Sequence, residues 1–196
     1  MTARHARIER KTGETNIVVD LLIDGHGDSS IATKIPFFDH MLTLFARHSL
    51  IDLKVQADGD IDVDLHHTVE DTGIALGQTF ARALRDKRGL RRYGSAYLPM
   101  DETLTRVALD FSGRPYLEYR APVAVEPIGA FSFQLVEEFL RAFAVHAGIN
   151  LHVEILYGRD PHHMAESVFK GLAKAVDAAC QLDPRVQGVP STKGVL

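Results

Sequence analysis

Apolar positions recur along this chain with two periods, and the changes from one to the other mark its elements. A period near two, which gives a strand one buried face, predicts strands over 3–11 and 16–24, the latter carrying Ile17, Val18, Val19, Leu21, Leu22 and Ile23. Thr12-Gly13-Glu14-Thr15 between them reads as a turn bearing a carboxylate, and Gly25-His26-Gly27-Asp28 as the turn before a short strand over 30–34. Pro36 suits a first helical turn, where its missing N–H costs nothing. The helix it opens, over 36–48, places Phe37, Met41, Leu44, Phe45 and His48 on its expected buried stripe and His40 off it. Leu53 and Val55 alternate with Lys54 and Gln56 in a strand over 51–58, and Val69, Leu76, Phe80 and Leu84 line a helix over 66–87.

The same order returns in the second half of the chain. Strands are predicted over 103–112 and 115–121, and a helix over 130–146 with Phe133, Val136, Leu140, Phe143 and Ala147 on one side. A strand over 150–157 follows, then a helix that starts after Gly158-Arg159-Asp160-Pro161. Its stripe of Ala165, Val168, Leu172, Ala175/Val176 and Ala179 is strongly periodic. The chain therefore reads as an internal duplication, with a first half over 1–90, a second over 91–182, and a Gly/Pro-rich tail over 183–196 without helical period. Strands and helices do not alternate strictly, so the fold expected is α+β and not a doubly wound sheet. In that superposition His40 falls opposite Glu138.

The chemistry stands at the starts of two helices. His66-His67-Thr68-Val69-Glu70 opens one, and His162-His163-Met164-Ala165-Glu166 opens the other. In each motif the first histidine and the glutamate are an i,i+4 pair on one helix face. The second histidine diverges from the first by about 100° at 3.6 residues per turn. Adjacent imidazoles therefore suit two ions, or an ion and a substrate, better than one ion between them. Imidazole with carboxylate, and no thiolate, favours a divalent metal such as Mn, Fe, Zn or Ni. The spacing is neither the HExxH of zincins nor its inverted form. Lys170 continues the line of His162 and Glu166, and the basic run over 85–92 is either a dipole-complementing helix end or an anion site.

Composition narrows the class. The chain has 196 residues, 45% hydrophobic and 24% charged, a length that fits one domain of two halves or two small domains. A formal charge of −4 makes no case for nucleic acid and leaves an anionic substrate dependent on local basic groups. The single cysteine, Cys180, excludes an internal disulfide framework and is compatible with a reducing cytoplasm. Met1 to Arg7 lacks the apolar core of a signal peptide, and no apolar run reaches membrane-spanning length. A cytoplasmic protein without nucleic-acid or membrane partners is expected.

Six motifs carry a resemblance over essentially the whole chain: Lys11-Thr12-Gly13-Glu14-Thr15, Phe37-Phe38-Asp39-His40-Met41-Leu42, His66 to Asp71, Ser112-Gly113-Arg114-Pro115-Tyr116, His162 to Glu166 with Phe169-Lys170, and Pro190-Ser191-Thr192-Lys193-Gly194-Val195-Leu196. Together they resemble the imidazoleglycerol-phosphate dehydratase family of histidine biosynthesis, in its monofunctional form. The resemblance implies a duplicated fold of the ribosomal protein S5 domain 2-like kind, each half a four-stranded sheet packed on two helices. It implies trimers assembled into a homo-24-mer, with Mn(II), two per subunit, bound where subunits meet. The metal ligands it implies are His40, His66, His67, Glu70, His162, His163 and Glu166. The position opposite His40 is a family ligand that is sometimes histidine; Glu138 departs from that. Arg92, Arg114, Lys170, Ser191 and Lys193 are the expected phosphate grip. Glu14, His40, His48, His66, Glu70 and His162 are expected to contact substrate, and Glu14, with Glu70 and Glu166, to move protons.

The reaction implied is loss of water from D-erythro-imidazole-glycerol phosphate to give imidazole-acetol phosphate. The proton to be removed has no carbonyl beside it, so it is not acidic. Metals on both ring nitrogens would hold the ring as imidazolate. Such a ring can expel the side-chain hydroxyl to a diazafulvene-like intermediate, and loss of the neighbouring proton then gives an enol and the ketone. The rival readings are a binuclear metal-dependent hydrolase of a phosphorylated small molecule and a metal-storing shell.

Overall fold

The computed structural model describes residues 3–122 and 125–196; Met1 and Thr2, within the stretch read as lacking a signal peptide, lie outside it. The first half contains β1 (His5–Lys11), β2 (Thr15–Leu22), β3 (Ser29–Ala32), α1 (Pro36–Ser49), β4 (Asp52–Gly59) and α2 (His66–Leu84). The second contains β5 (Tyr93–Met100), β6 (Thr103–Asp110), β7 (Tyr116–Arg120), α3 (Gln134–Ala147), β8 (Asn150–Tyr157) and α4 (Pro161–Cys180). The sheets have orders β1-β2-β4-β3 and β5-β6-β8-β7, one topology used twice. In each, two antiparallel pairings are followed by a parallel one that the intervening helix, α1 or α3, makes possible.

Each sheet carries its own two helices, and the two helical layers meet between the sheets. The pairs in contact are α2 with α3 and α1 with α4, so each helix pair joins the halves. Gly73 and Gly77 let α2 approach α3 closely. A Cβ at Gly73 would stand 2.8 Å from the Phe139 carbonyl oxygen, and one at Gly77 would stand 2.8 Å from that of Phe143. Phenylalanines fill the seam: the Phe80 and Phe143 rings lie 5.4 Å apart edge to face, and the Phe38 and Phe139 rings 5.5 Å apart. Such pairs contribute about 0.5–1.5 kcal/mol beyond their buried area. Cys180 is buried with its thiol pushed up to about 12 by that burial.

Three expectations need correction. The buried stripe of α1 is Phe38, Met41, Leu42, Phe45 and Ala46, rotated from the one read in the sequence; Phe37, Leu44 and His48 are only partly covered, because α4 and β3 pack from the side. The helix over 66–87 ends at Leu84, where Arg85 turns to φ 53°. Strand β5 has no counterpart among the predicted strands; only its first residues, Tyr93 and Gly94, adjoin the basic stretch at the junction of the halves. It is a half-covered strand with no buried residue, and Gly94 and Pro99 confine its apolar run to Ala96-Tyr97-Leu98.

Candidate active site

Helix α4 begins with a cap and a metal-type cluster. Asp160 accepts the His162 backbone N–H at 2.8 Å, and Pro161 takes the first helical position. One turn on, Glu166 Oε1 lies 2.9 Å from His162 Nε2 and 2.9 Å from His40 Nε2, which α1 supplies from the other half. Among the described residues this is the one group of three or more such ligand types whose donor atoms all lie within 4.8 Å of one another. Two imidazole nitrogens and a carboxylate oxygen at that spacing fit a borderline divalent cation. Burial would raise the Glu166 pKa, but Lys170, His40 and His162 outweigh it and bring the carboxyl down to about 2.

Helix α2 repeats the layout more openly. Asp64 accepts the His66 backbone N–H at 2.8 Å. His66 Nε2 stands 3.8 Å from Glu70 Oε2, both side chains being more than two-fifths exposed. Glu138, brought by α3, lines the same cleft as His66. Each cluster thus takes its lone helix residue, His40 or Glu138, from the opposite half. The buried charge on α2 belongs instead to Asp71, which accepts from Arg10 at 3.0 Å and from the Thr15 hydroxyl.

The second histidine of each pair turns away. The His66 and His67 rings are 6.2 Å apart at 86°, and the His162 and His163 rings 6.2 Å apart at 88°. His67 Nδ1 faces Asp60 at 3.0 Å, with the exposed Glu14 carboxylate 3.8 Å off. His163 Nδ1 faces Glu102 at 2.8 Å. These carboxylates raise the pKa of both imidazoles, while the Asp160 N–H and His163 hold Glu102 well below the usual carboxylate range. Asp60 and Glu102 were not singled out from the sequence. The available signal for Glu102 was its place just before β6, matching that of Glu14 before β2.

Four of the expected phosphate residues come together. Arg92, Arg114, Ser191 and Lys193 line one cleft at the start of β5. Arg92 grips Asp110 through Nε and Nη2 at 2.6 and 2.9 Å and donates Nη1 to the Pro190 carbonyl at 2.8 Å, so it ties the tail to the cleft. Lys170 is elsewhere, its Nζ 2.5 Å from Glu166. His48 is half-buried at the end of α1, its pKa pushed down by burial and by Lys170 and Lys174.

The two kinds of cluster lie at opposite ends of the helices. The Arg92 backbone N–H donates to Ala179 at the C-terminal end of α4, whereas His162 is at its start. At about 1.5 Å rise per residue that separates them by roughly 25 Å. α2 runs the same way: Arg85 at its end donates to Ala3, next to Arg4, which donates to Cys180 at the end of α4.

The profile of the family described as imidazoleglycerol-phosphate dehydratase matches residues 33–176. The enzyme of that name from Methylorubrum populi is 58% identical over 98% of this chain and all of its own length; that from Caldanaerobacter subterraneus subsp. tengcongensis is 56% identical over 98% and 100%. The crystal structure of imidazoleglycerol-phosphate dehydratase from Staphylococcus aureus is 39% identical with TM-score 0.80, covering 91% of this chain and 99% of that one. The Pyrococcus furiosus structure gives 35% and 0.82 over 96% and 100%. The duplicated α+β fold, the paired histidine helices and these relatives agree: the chain belongs to the imidazoleglycerol-phosphate dehydratase family, hydro-lyases of histidine biosynthesis that act on a phosphorylated imidazole.

Proposed function

We propose that the working site of this dehydratase is composite, drawing its metal ligands and its phosphate grip from different subunits of one assembly. The observation that carries this is the separation of roughly 25 Å along α4 between His162 and the Arg92 cleft. A ring and a phosphate joined by three carbons cannot bridge it within one chain. A closed homo-oligomer, read as a 24-mer of trimers, brings the end of one subunit to the start of another.

The residues divide the work. His40, His162 and Glu166 form one half-site; His66, Glu70 and Glu138 form the other; His67 and His163, facing outward, complete sites on neighbours. Two Mn(II) per subunit fit these nitrogen and oxygen donors and, when bound, supply Lewis acidity to the substrate's ring nitrogens. Arg114, Ser191 and Lys193 hold the phosphate, arginine by paired N–H groups and lysine as a point charge. That anchorage would fix the side chain while the hydroxyl on the carbon next to the ring leaves with its bonding electrons, the ring's electrons moving in to give a diazafulvene-like species. Glu14 then takes the neighbouring proton; its carboxylate is exposed and makes no hydrogen bond among the described residues. Glu70 and Glu166 are ligands first and proton carriers second. The reading is of a cytoplasmic enzyme, and no described helix is long and apolar enough to cross a membrane.

Intersubunit complementation tests the proposal. Glu166→Gln subunits lack one metal ligand and Arg114→Ala subunits lack the grip, so each homo-oligomer is expected to be nearly inactive. Co-expressed in equal amounts, they should regain about a quarter of wild-type activity, since each composite site draws each part independently from a sound chain half the time. No recovery in mixed particles would place both parts in one chain and sink the proposal. In the wild type, ketone formation should rise as occupancy approaches two Mn(II) per subunit.

A further inference from the structure

We infer that Asp60 and Glu102 are positioning residues that fix the tautomer of His67 and His163, so that each presents Nε2 to an ion. The inference rests on the metal reading of those histidines given above. A carboxylate can only accept at neutral pH, so the ring nitrogen facing it must carry the hydrogen. Nδ1 of His67 lies 3.0 and 3.3 Å from the two Asp60 oxygens, and Nδ1 of His163 lies 2.8 Å from Glu102 Oε2. The lone pair of each neutral ring is then on Nε2. No described residue pairs with Nε2 of His67, and Nε2 of His163 has only the exposed Asp101 carboxylate at 3.8 Å. Carboxylate behind, imidazole between and open nitrogen in front is the arrangement that orients ligating histidines and raises their basicity.

The two halves reach this arrangement by different routes, which also accounts for the single candidate base. Glu14 and Glu102 stand at matching places, each just before the second strand of its sheet. Glu102 is committed: its Oε1 accepts the backbone N–H groups of Arg159 and Asp160 at 3.2 and 2.9 Å, pinning it to the start of α4 while Oε2 serves His163. In the first half the clamp has passed to Asp60, whose backbone N–H is tied to the Glu14 carbonyl at 3.2 Å. Glu14 is thereby released from clamping duty and left at hand for substrate.

Free Mn(II), counted by its electron paramagnetic resonance signal during titration of the assembled protein, tests this. Wild type should take up two per subunit. Asp60→Ala should weaken one of the two by about 10–100-fold, the usual cost of losing such a partner, and leave the other unchanged. Glu102→Gln, which keeps the backbone contacts, should weaken the complementary one. Asp60→Asn, which retains an acceptor for Nδ1–H, should recover part of the affinity, a recovery that mere loop damage would not show. Two wild-type-like sites in Asp60→Ala, or Asp60→Asn as weak as Asp60→Ala, would overturn the inference. A wild type that binds no Mn(II) would instead overturn the metal reading beneath it.

Discussion

The helices α2 and α4 are copies that have drifted apart while keeping one backbone. Both start with an aspartate accepting the first histidine's N–H, and both carry the second histidine outward. Yet Glu166 is 6% exposed and bound by His40, His162 and Lys170, whereas Glu70 is half open at 3.8 Å from its histidine. Where α4 has Lys170, α2 has Ile74, and where α1 supplies a histidine, α3 supplies Glu138. The residue after the glutamate reverses the pattern: Asp71 is buried and charged, Ser167 buried and neutral. Each copy therefore buries one carboxylate near its metal end, but α4 buries the ligand and α2 buries the neighbour of the ligand. A closed ligand set is preorganised; an open one can adjust to whatever a neighbouring subunit brings.

The strongest way to break this comparison is to remove the two glutamates. Glu166→Ala leaves the Lys170 ammonium, 17% exposed, without its partner and removes the acceptor shared by two histidines. Breaking such a pair should cost the metal-free protein about 3 kcal/mol. Glu70→Ala should cost less than about 1 kcal/mol, as at an exposed ion pair. Both should abolish turnover. Thermal unfolding of the two metal-free variants decides the matter: equal losses would mean that the clusters are equivalent in solution.

Much of this was legible in the sequence, and the misses have physical causes. Histidine and glutamate at i,i+4 identify themselves, because helix spacing alone sets them on one face. The matching of His40 with Glu138 followed from order along the chain. Which helices touch did not: α1 meets α4 and α2 meets α3 through interleaved phenylalanines and the glycines at 73 and 77, and apolar periodicity says that a face is buried without saying against what. Strand β5 escaped because its helix-facing positions include Gly94, whose Cβ would stand 1.9 Å from the Ala175 carbonyl oxygen. Close backbone approach there replaces the apolar side chains that announce a strand. The charge of Lys170 was visible in the sequence, but its place beside Glu166, away from the Arg92 cleft of the same chain, was not.

A second prediction sharpens the reversal one residue on. Asp71→Ala leaves Arg10 without its carboxylate and takes the Asp71 acceptor from the buried Thr15 hydroxyl, and should destabilise by about 2–3 kcal/mol. Ser167→Ala loses neutral hydrogen bonds to Thr105 and Met164 and should cost about 1 kcal/mol. The order of these two losses is expected to be opposite to that of the glutamates, α2 now being the more sensitive copy. Thermal shifts in the same order as for the glutamates would show α4 to be simply the more rigid helix.

The smallest expected effect concerns a feature on which the halves agree. His48 ends α1 and His146 ends α3, both half-buried and both with pKa values pushed down by burial first, then by nearby cations, Lys170 and Lys174 for one and Arg10 for the other. The folded state therefore prefers each ring neutral. Below an unfolded pKa of about 6.5 the unfolded chain binds the proton more readily, so stability is full above that pH and declines as pH falls towards the folded values. His48→Gln and His146→Gln should each flatten this slope, and by similar amounts, because burial leads in both. Unfolding measured from pH 8 down to 5.5 would show it. A slope carried by one histidine alone would mean that the neighbouring cations, which differ between the halves, outweigh the burial they share.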